Sequence, residues 1–213
     1  MENINKIKKL SLWIFIVPFV AINACLIIIT NFHQFFDLQH VVLPTIPYID
    51  GGTSISRTAR VFPTYLIFKP AMFITAFFLI KYWRYNFNLM EKISPDLNYK
   101  KFFLFFGIGS AIFLVLHSIF LGVKFDNDFY KLFRRVLVLA FIIFEVIAQT
   151  ILVINFFKIK EQIKQFINSR ILNIKIALVS ILIVVAFVSI PFLAAEGYNS
   201  FKHSLEWNYF MGV

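Results

Sequence analysis

The residues able to do chemistry fall into two sets. One lies between the apolar stretches: His33, His40, Asp50, Arg57, Arg60, Asp126, Asp128, Glu196, His203 and Glu206. Asp50, His203 and Glu206 offer carboxylates and an imidazole for acid–base work such as acyl transfer or hydrolysis. Arg57 and Arg60 suit an anionic headgroup. The other set lies inside the apolar stretches. Glu145 and Gln149 are four residues apart and share a helix face. That pair fits a proton site or a headgroup pocket, and equally an interhelical hydrogen bond that fixes packing. Lys69 directly precedes Pro70. It is either a lysine whose amine snorkels to the interface or a cation for a lipid phosphate, beside carbonyls freed by the proline. No Gly-x-Ser-x-Gly, P-loop or His-Glu-x-x-His motif accompanies these residues. His33 and His40 lack the close spacing of zinc ligands. Cys25 is the only cysteine, so no intrachain disulfide can form. No metal and no cofactor is expected.

The elements that must hold these side chains are membrane helices. Of the 213 residues 60% are hydrophobic and 15% charged, against roughly 45–50% and ~25% in a soluble protein, and the mean hydropathy is +0.78. Those values exclude a soluble domain, a disordered chain and a fibrous repeat. Five stretches are long and apolar enough to cross ~30 Å of hydrocarbon: residues 10–30, 61–83, 102–123, 136–157 and 176–195. The first exceeds the apolar core of a signal peptide. The third carries Gly107, Ser110, Ala111, Leu114, His117 and Ser118 along one face, a stripe that lets helices approach closely. The expected fold is all-α, a polytopic transmembrane bundle of five spans forming a single domain over residues 1–213.

The formal charge is +10. In so apolar a chain it points to basic loops and anionic lipid, with no nucleic-acid partner. With the N-terminus inside, thirteen Lys and Arg fall on inner segments and seven on outer ones. That split predicts a cytoplasmic N-terminus, with the first loop and the tail after Ala195 outside. The first loop is stiffened by Pro44 and Pro47, and Gly51-Gly52 permits positive φ and a close backbone approach, so it reads as a structured turn.

Pro47-Tyr48-Ile49-Asp50-Gly51, followed about ten residues on by Val61-Phe62 at the second helix, resembles the first loop of the Frag/DRAM/Sfk family. That family includes damage-regulated autophagy modulators, GPI-anchor remodelling proteins and the N-terminal module of Cwh-type proteins. Glu206-Trp207 resembles the Glu-Trp that precedes the family's last helix, and Gln149 fits a weaker pattern in the fourth span. The resemblance implies six helices, whereas the sequence stops at Val213, too soon for a sixth span: either a helix is missing at the C-terminus or this member has five. Family members often carry a histidine near the start of the fourth helix, where this chain has Arg134-Arg135.

The resemblance implies a role in lipid remodelling or membrane organisation, with membrane lipids as partners. The expected function is therefore a non-enzymatic membrane protein that binds, organises or helps remodel lipids. Asp50, Arg57, Arg60 and Lys69 would meet headgroups and Glu145 would line a pocket. A lipid-remodelling enzyme using Asp50, His203 or Glu206 is an alternative, although no nucleophile stands out. A proton-coupled transporter using Glu145 is another, weakened by the lack of an obvious inverted repeat.

Overall fold

The computed structural model describes residues 2–37, 40–95, 99–123, 128–164, 168–194 and 196–212. Lys124 and Asp126 lie outside them. The described elements are helical: α1 (Glu2–Asn31), a 3-10 turn at His33–Phe35, α2 (Ile55–Ala59), α3 (Tyr65–Ile93), α4 (Lys100–Phe120), α5 (Asp128–Lys158), α6 (Lys160–Ile163), α7 (Ser169–Ala194) and α8 (Asn199–Gly212). Five of these helices are long and apolar enough to cross a membrane: α1, α3, α4, α5 and α7. The chain is a multi-pass integral membrane protein.

The outer surface agrees with a lipid solvent. Leu12, Phe15 and Val20 on α1, Phe77 on α3, Ile112 on α4, Ile143 on α5 and Ile181, Val184 and Phe187 on α7 are all exposed. In water so continuous an apolar surface would be an aggregation liability. In a bilayer it is the solvated face.

The helices pack in series, α1 on α3, α3 on α4, α4 on α5 and α5 on α7. Large aromatic side chains fill the seam between α3 and α4. Trp83 is fully buried against Phe103, and Gly107 lies so close to the Trp83 ring that a Cβ there would enter it. Of the expected stripe on α4, Gly107, Ser110, Ala111, Leu114 and Ser118 are enclosed and His117 is half-buried.

Cross-contacts define two ends of the bundle. At one end Cys25 Sγ donates to the Thr64 carbonyl, Lys69 Nζ to the Ile119 carbonyl and the Tyr130 hydroxyl to the Phe120 carbonyl. At the other, Lys100 Nζ pairs with Glu91 at 2.6 Å and donates to the Pro95 carbonyl. The first end carries the first loop, α2 and the start of α8.

Several expected boundaries move: the first, fourth and fifth spans begin at Ile4, Leu132 and Ser169, ahead of residues 10, 136 and 176. The second span starts at Tyr65, not at Val61, because Val61–Pro63 and Thr64 form a turn; a residue ahead of a proline, here Phe62, is driven out of helical geometry. The segment after Ala195 is a helix. At 14 residues α8 is about 21 Å long, short of a ~30 Å span. It folds back along α7: Tyr209 donates its hydroxyl proton to the Leu182 carbonyl at 3.1 Å, the Phe210 ring lies 6.3 Å from that of Phe141 on α5, and Gly212 rests against the Leu182 side chain. The C-terminal end of α8 thus reaches the middle of the α7 span.

Candidate functional site

The chemistry-bearing residues resolve into a docked loop at one end of the bundle and a cavity within it. The loop is built on Asp50. Its carboxylate accepts from Thr45 Oγ1 at 2.5 Å, from the Ile46 amide at 2.9 Å and from the Gly52 amide at 2.8 Å. Those donors, Thr45 foremost, hold the Asp50 carboxyl below the usual range. The carboxylate thus ties the loop to itself.

The turn so made presents three backbone carbonyls to α8. Ser204 Oγ and Asn208 Nδ2 each donate to the Tyr48 carbonyl at 2.8 Å. His203 Nδ1 lies 3.0 Å from the Gly51 carbonyl. Trp207 Nε1 donates to the Thr53 carbonyl at 2.9 Å. Gly51 is required here on two counts: its φ is +60°, and a Cβ would collide with the Ser200 backbone. The Tyr48 ring meets the fully buried Trp207 edge-on at 5.0 Å, and its hydroxyl exchanges hydrogen bonds with Asn23 of α1.

Glu206 completes the dock. Its carboxyl accepts from the amides of Ile55 and Ser56 at the start of α2, and burial outweighs those bonds, so its pKa is pushed up to about 7. Tyr48, Gly51, His203, Glu206 and Trp207 are therefore brought together, each holding the chain's own backbone or a neighbouring ring. Asp50 belongs to the same unit through its loop. Arg57 lies in α2 and Arg60 at its end, and Lys69 reaches the free carbonyl end of α4 with its amine 5.5 Å from the Tyr65 ring.

The cavity lies among α1, α3, α5, α7 and the tip of α8, with a volume of about 450 Å³. Glu145, 2% exposed, lies in its floor. Ser110 Oγ of α4 donates to Glu145 Oε2 at 2.6 Å, and Gln149 Nε2 donates to Oε1 at 2.8 Å. Gln149 Oε1 is buried and has no partner. Lys175 of α7 also lines the cavity and donates to the Tyr82 hydroxyl at 2.9 Å. The remaining walls are apolar, from Ile14 and Pro18 of α1 to Leu79, Val179 and Met211. Phe15 on one side and Ile171, Ile174 and Leu178 on the other are exposed at its rim, so the cavity opens sideways between α1 and α7.

No protein-family model, no curated protein and no solved structure matches the chain.

Among the described residues no group of three or more His, Cys, Asp or Glu could hold a metal ion. Neither this cavity nor a second one beside Arg60 is lined by Asp50, His203 or Glu206. The pairing of Glu145 with Gln149 follows from their spacing. Lys175 was hidden because the fifth stretch reads as starting after it. The missed signal is Asn168, whose Oδ1 accepts from the Arg170 amide at 2.9 Å; a helix opened there carries Lys175 well inside its first turns. Tyr82, also in the cavity wall, left no signal beyond its place in an apolar run.

Proposed function

We propose that the protein binds a membrane amphiphile, with the polar end of the ligand on Glu145, Gln149, Lys175 and Tyr82 and its apolar chain against α1 and α7. The observation that carries this is a cavity of about 450 Å³, within the range of small-molecule sites, whose few polar groups converge and whose mouth faces lipid. Gln149 supplies a vacant acceptor and Lys175 a cation, so the ligand carries both a donor, such as a hydroxyl or amine, and an acceptor. The amphiphile belongs in this cavity and not on the Tyr48–Gly52 turn, where Asp50 and the Tyr48 carbonyl are engaged within the protein.

The relation to the Frag/DRAM/Sfk family remains part of the proposal. It is supported by the docking of Tyr48–Gly51 onto the helix that carries Glu206-Trp207. Here the Glu-Trp lies within α8 and not ahead of it. An N-terminus in the cytoplasm, with the loop and the start of α8 on the opposite side, rests on the Lys and Arg distribution.

The test is lipid analysis of the protein purified in mild detergent. The wild type retains an amphiphile through purification and Leu178→Trp, which fills the mouth, does not. No retained lipid, or equal retention by the filled variant, refutes the assignment. The burial of an acid in the cavity also favours a second reading, a proton-coupled transporter. It predicts pH-dependent uptake by reconstituted vesicles that Glu145→Gln abolishes.

A further inference from the structure

At the end of the bundle remote from Lys175, three guanidinium groups are gathered without a countercharge among the described residues. Arg57 lies in α2 and Arg60 caps it, three residues on, so both project from one turn. The link between α4 and α5 is brought to the same place. Gly122, with φ +85°, sits so close to the Arg60 carbonyl that a Cβ would press on it. Tyr130 is pinned to that link by its 2.8 Å bond to the Phe120 carbonyl, and the Arg134 guanidinium lies over the Tyr130 ring at 5.8 Å.

Partial burial and the charges of Arg134 and Arg57 together lower the pKa of Arg60. Among the described residues no carboxylate pairs with any of the three. Asp37 and His40 line a cavity of about 340 Å³ with Arg60, yet Asp37 makes no ion pair there. Two enclosed atoms nearby also lack partners, Nε of Arg134 and Nδ1 of His117. A buried donor with no acceptor is destabilising, as is the mutual repulsion of three like charges. One multivalent anion relieves both, because guanidinium forks match the oxygens of phosphate.

We propose that Arg57, Arg60 and Arg134 form a binding site for a phosphate group, carried by a lipid headgroup or free in solution. The site is separate from the Glu145 cavity and stands without it.

The experiment uses the full chain, delipidated in a neutral detergent and phosphate-free buffer. Thermal midpoints are read against inorganic phosphate in one arm and against dioleoyl phosphatidic acid in mixed micelles in the other. The expected result is a saturable rise in at least one arm, and the arm that responds names the source. Arg60→Gln with Arg134→Gln weakens the apparent affinity tenfold or more. Arg134→Gln alone leaves the ligand-free midpoint unchanged or raised, since a like charge is removed. Lys81→Gln, on the opposite half of α3, leaves the response intact. No rise in either arm, or an undiminished response in the double variant, overturns the proposal. Should the double variant fail to fold, Arg57→Gln on the exposed side of α2 is read in its place, with the same tenfold criterion.

Discussion

The indole N–H of Trp207 donates to the carbonyl of Thr53 at 2.9 Å across 154 residues of sequence. That bond, with the Tyr48 ring on the Trp207 face, joins the first loop to the last helix. Trp207→Phe preserves the packing but strands a buried carbonyl, and is expected to destabilise the fold by about 1–3 kcal/mol. Trp207→Ala also leaves a cavity and is expected to cost about 3–5 kcal/mol. Unfolding of the detergent-purified variants measures both. A Phe variant as stable as the wild type would show that the bond contributes nothing.

Two glycines with similar dihedral angles should respond differently to the same substitution. Gly51 (φ +60°) faces the Ser200 backbone, whereas Gly197 (φ +82°) has nothing within 4 Å of its Cβ position. Gly197→Ala carries only the left-handed strain of about 1–2 kcal/mol. Gly51→Ala adds a backbone collision that no rotamer can relieve, so the loop must lift off α8. Limited proteolysis should cut the loop of the Gly51 variant and spare that of the Gly197 variant. Equal protection would mean that the two segments are not tightly docked.

The dock should also loosen as pH rises. Glu206 has a pKa of about 7 in the folded protein against 4.5 for a free carboxyl. The folded state therefore holds a proton that the unfolded state has already released. The stabilisation is complete below about pH 4.5 and disappears as pH climbs through 7, amounting to about 3 kcal/mol. Glu206→Gln keeps an acceptor for the Ile55 and Ser56 amides and cannot ionise, so its stability should be flat across that window. A slope as steep as that of the wild type would reassign the titration.

The bundle was legible in the sequence because lipid imposes a simple rule, that every span is a long apolar run. The buried face of α4 was legible for the same reason, since small residues repeated at helical spacing have one use between helices. The contact between Glu145 and Gln149 needed only their spacing. Ser110 as their partner did not follow, because register between helices depends on side-chain packing along their whole length. The dock was half legible: Tyr48, Gly51, Glu206 and Trp207 could be singled out, but no local signal says that residues 150 apart meet. The role of Asp50 in closing the turn was not legible, because a carboxylate that accepts from its own loop's amides looks the same in sequence as one free to bind.

Orientation is testable because the native thiol is silent: Cys25 is fully buried. Ile49 in the loop is 81% exposed and the Glu161 side chain in α6 is 79% exposed, at opposite ends of the bundle. In intact cells a membrane-impermeant maleimide should label Ile49→Cys, and should label Glu161→Cys only after permeabilisation. The reverse pattern would invert the topology inferred from the Lys and Arg distribution.

The buried acid separates a structural from a functional account of the cavity. A central carboxyl costs about 2.5–3.5 kcal/mol to insert, whereas Leu is favourable by roughly 0.3–0.6. Interhelical hydrogen bonds in membranes return about 0.6 kcal/mol on average and at most about 1.7. Glu145→Leu strands the Gln149 amide, while the Ser110 hydroxyl proton, released from Glu145, turns to the Gly107 carbonyl 2.8 Å away. The balance favours the Leu variant, which should be at least as stable as the wild type. If Glu145 were there for packing alone, nothing else would change. As part of a ligand site its loss should cut lipid retention several-fold while the thermal midpoint holds or rises. A variant that is less stable yet retains lipid normally would assign Glu145 to packing and leave the cavity without its polar anchor.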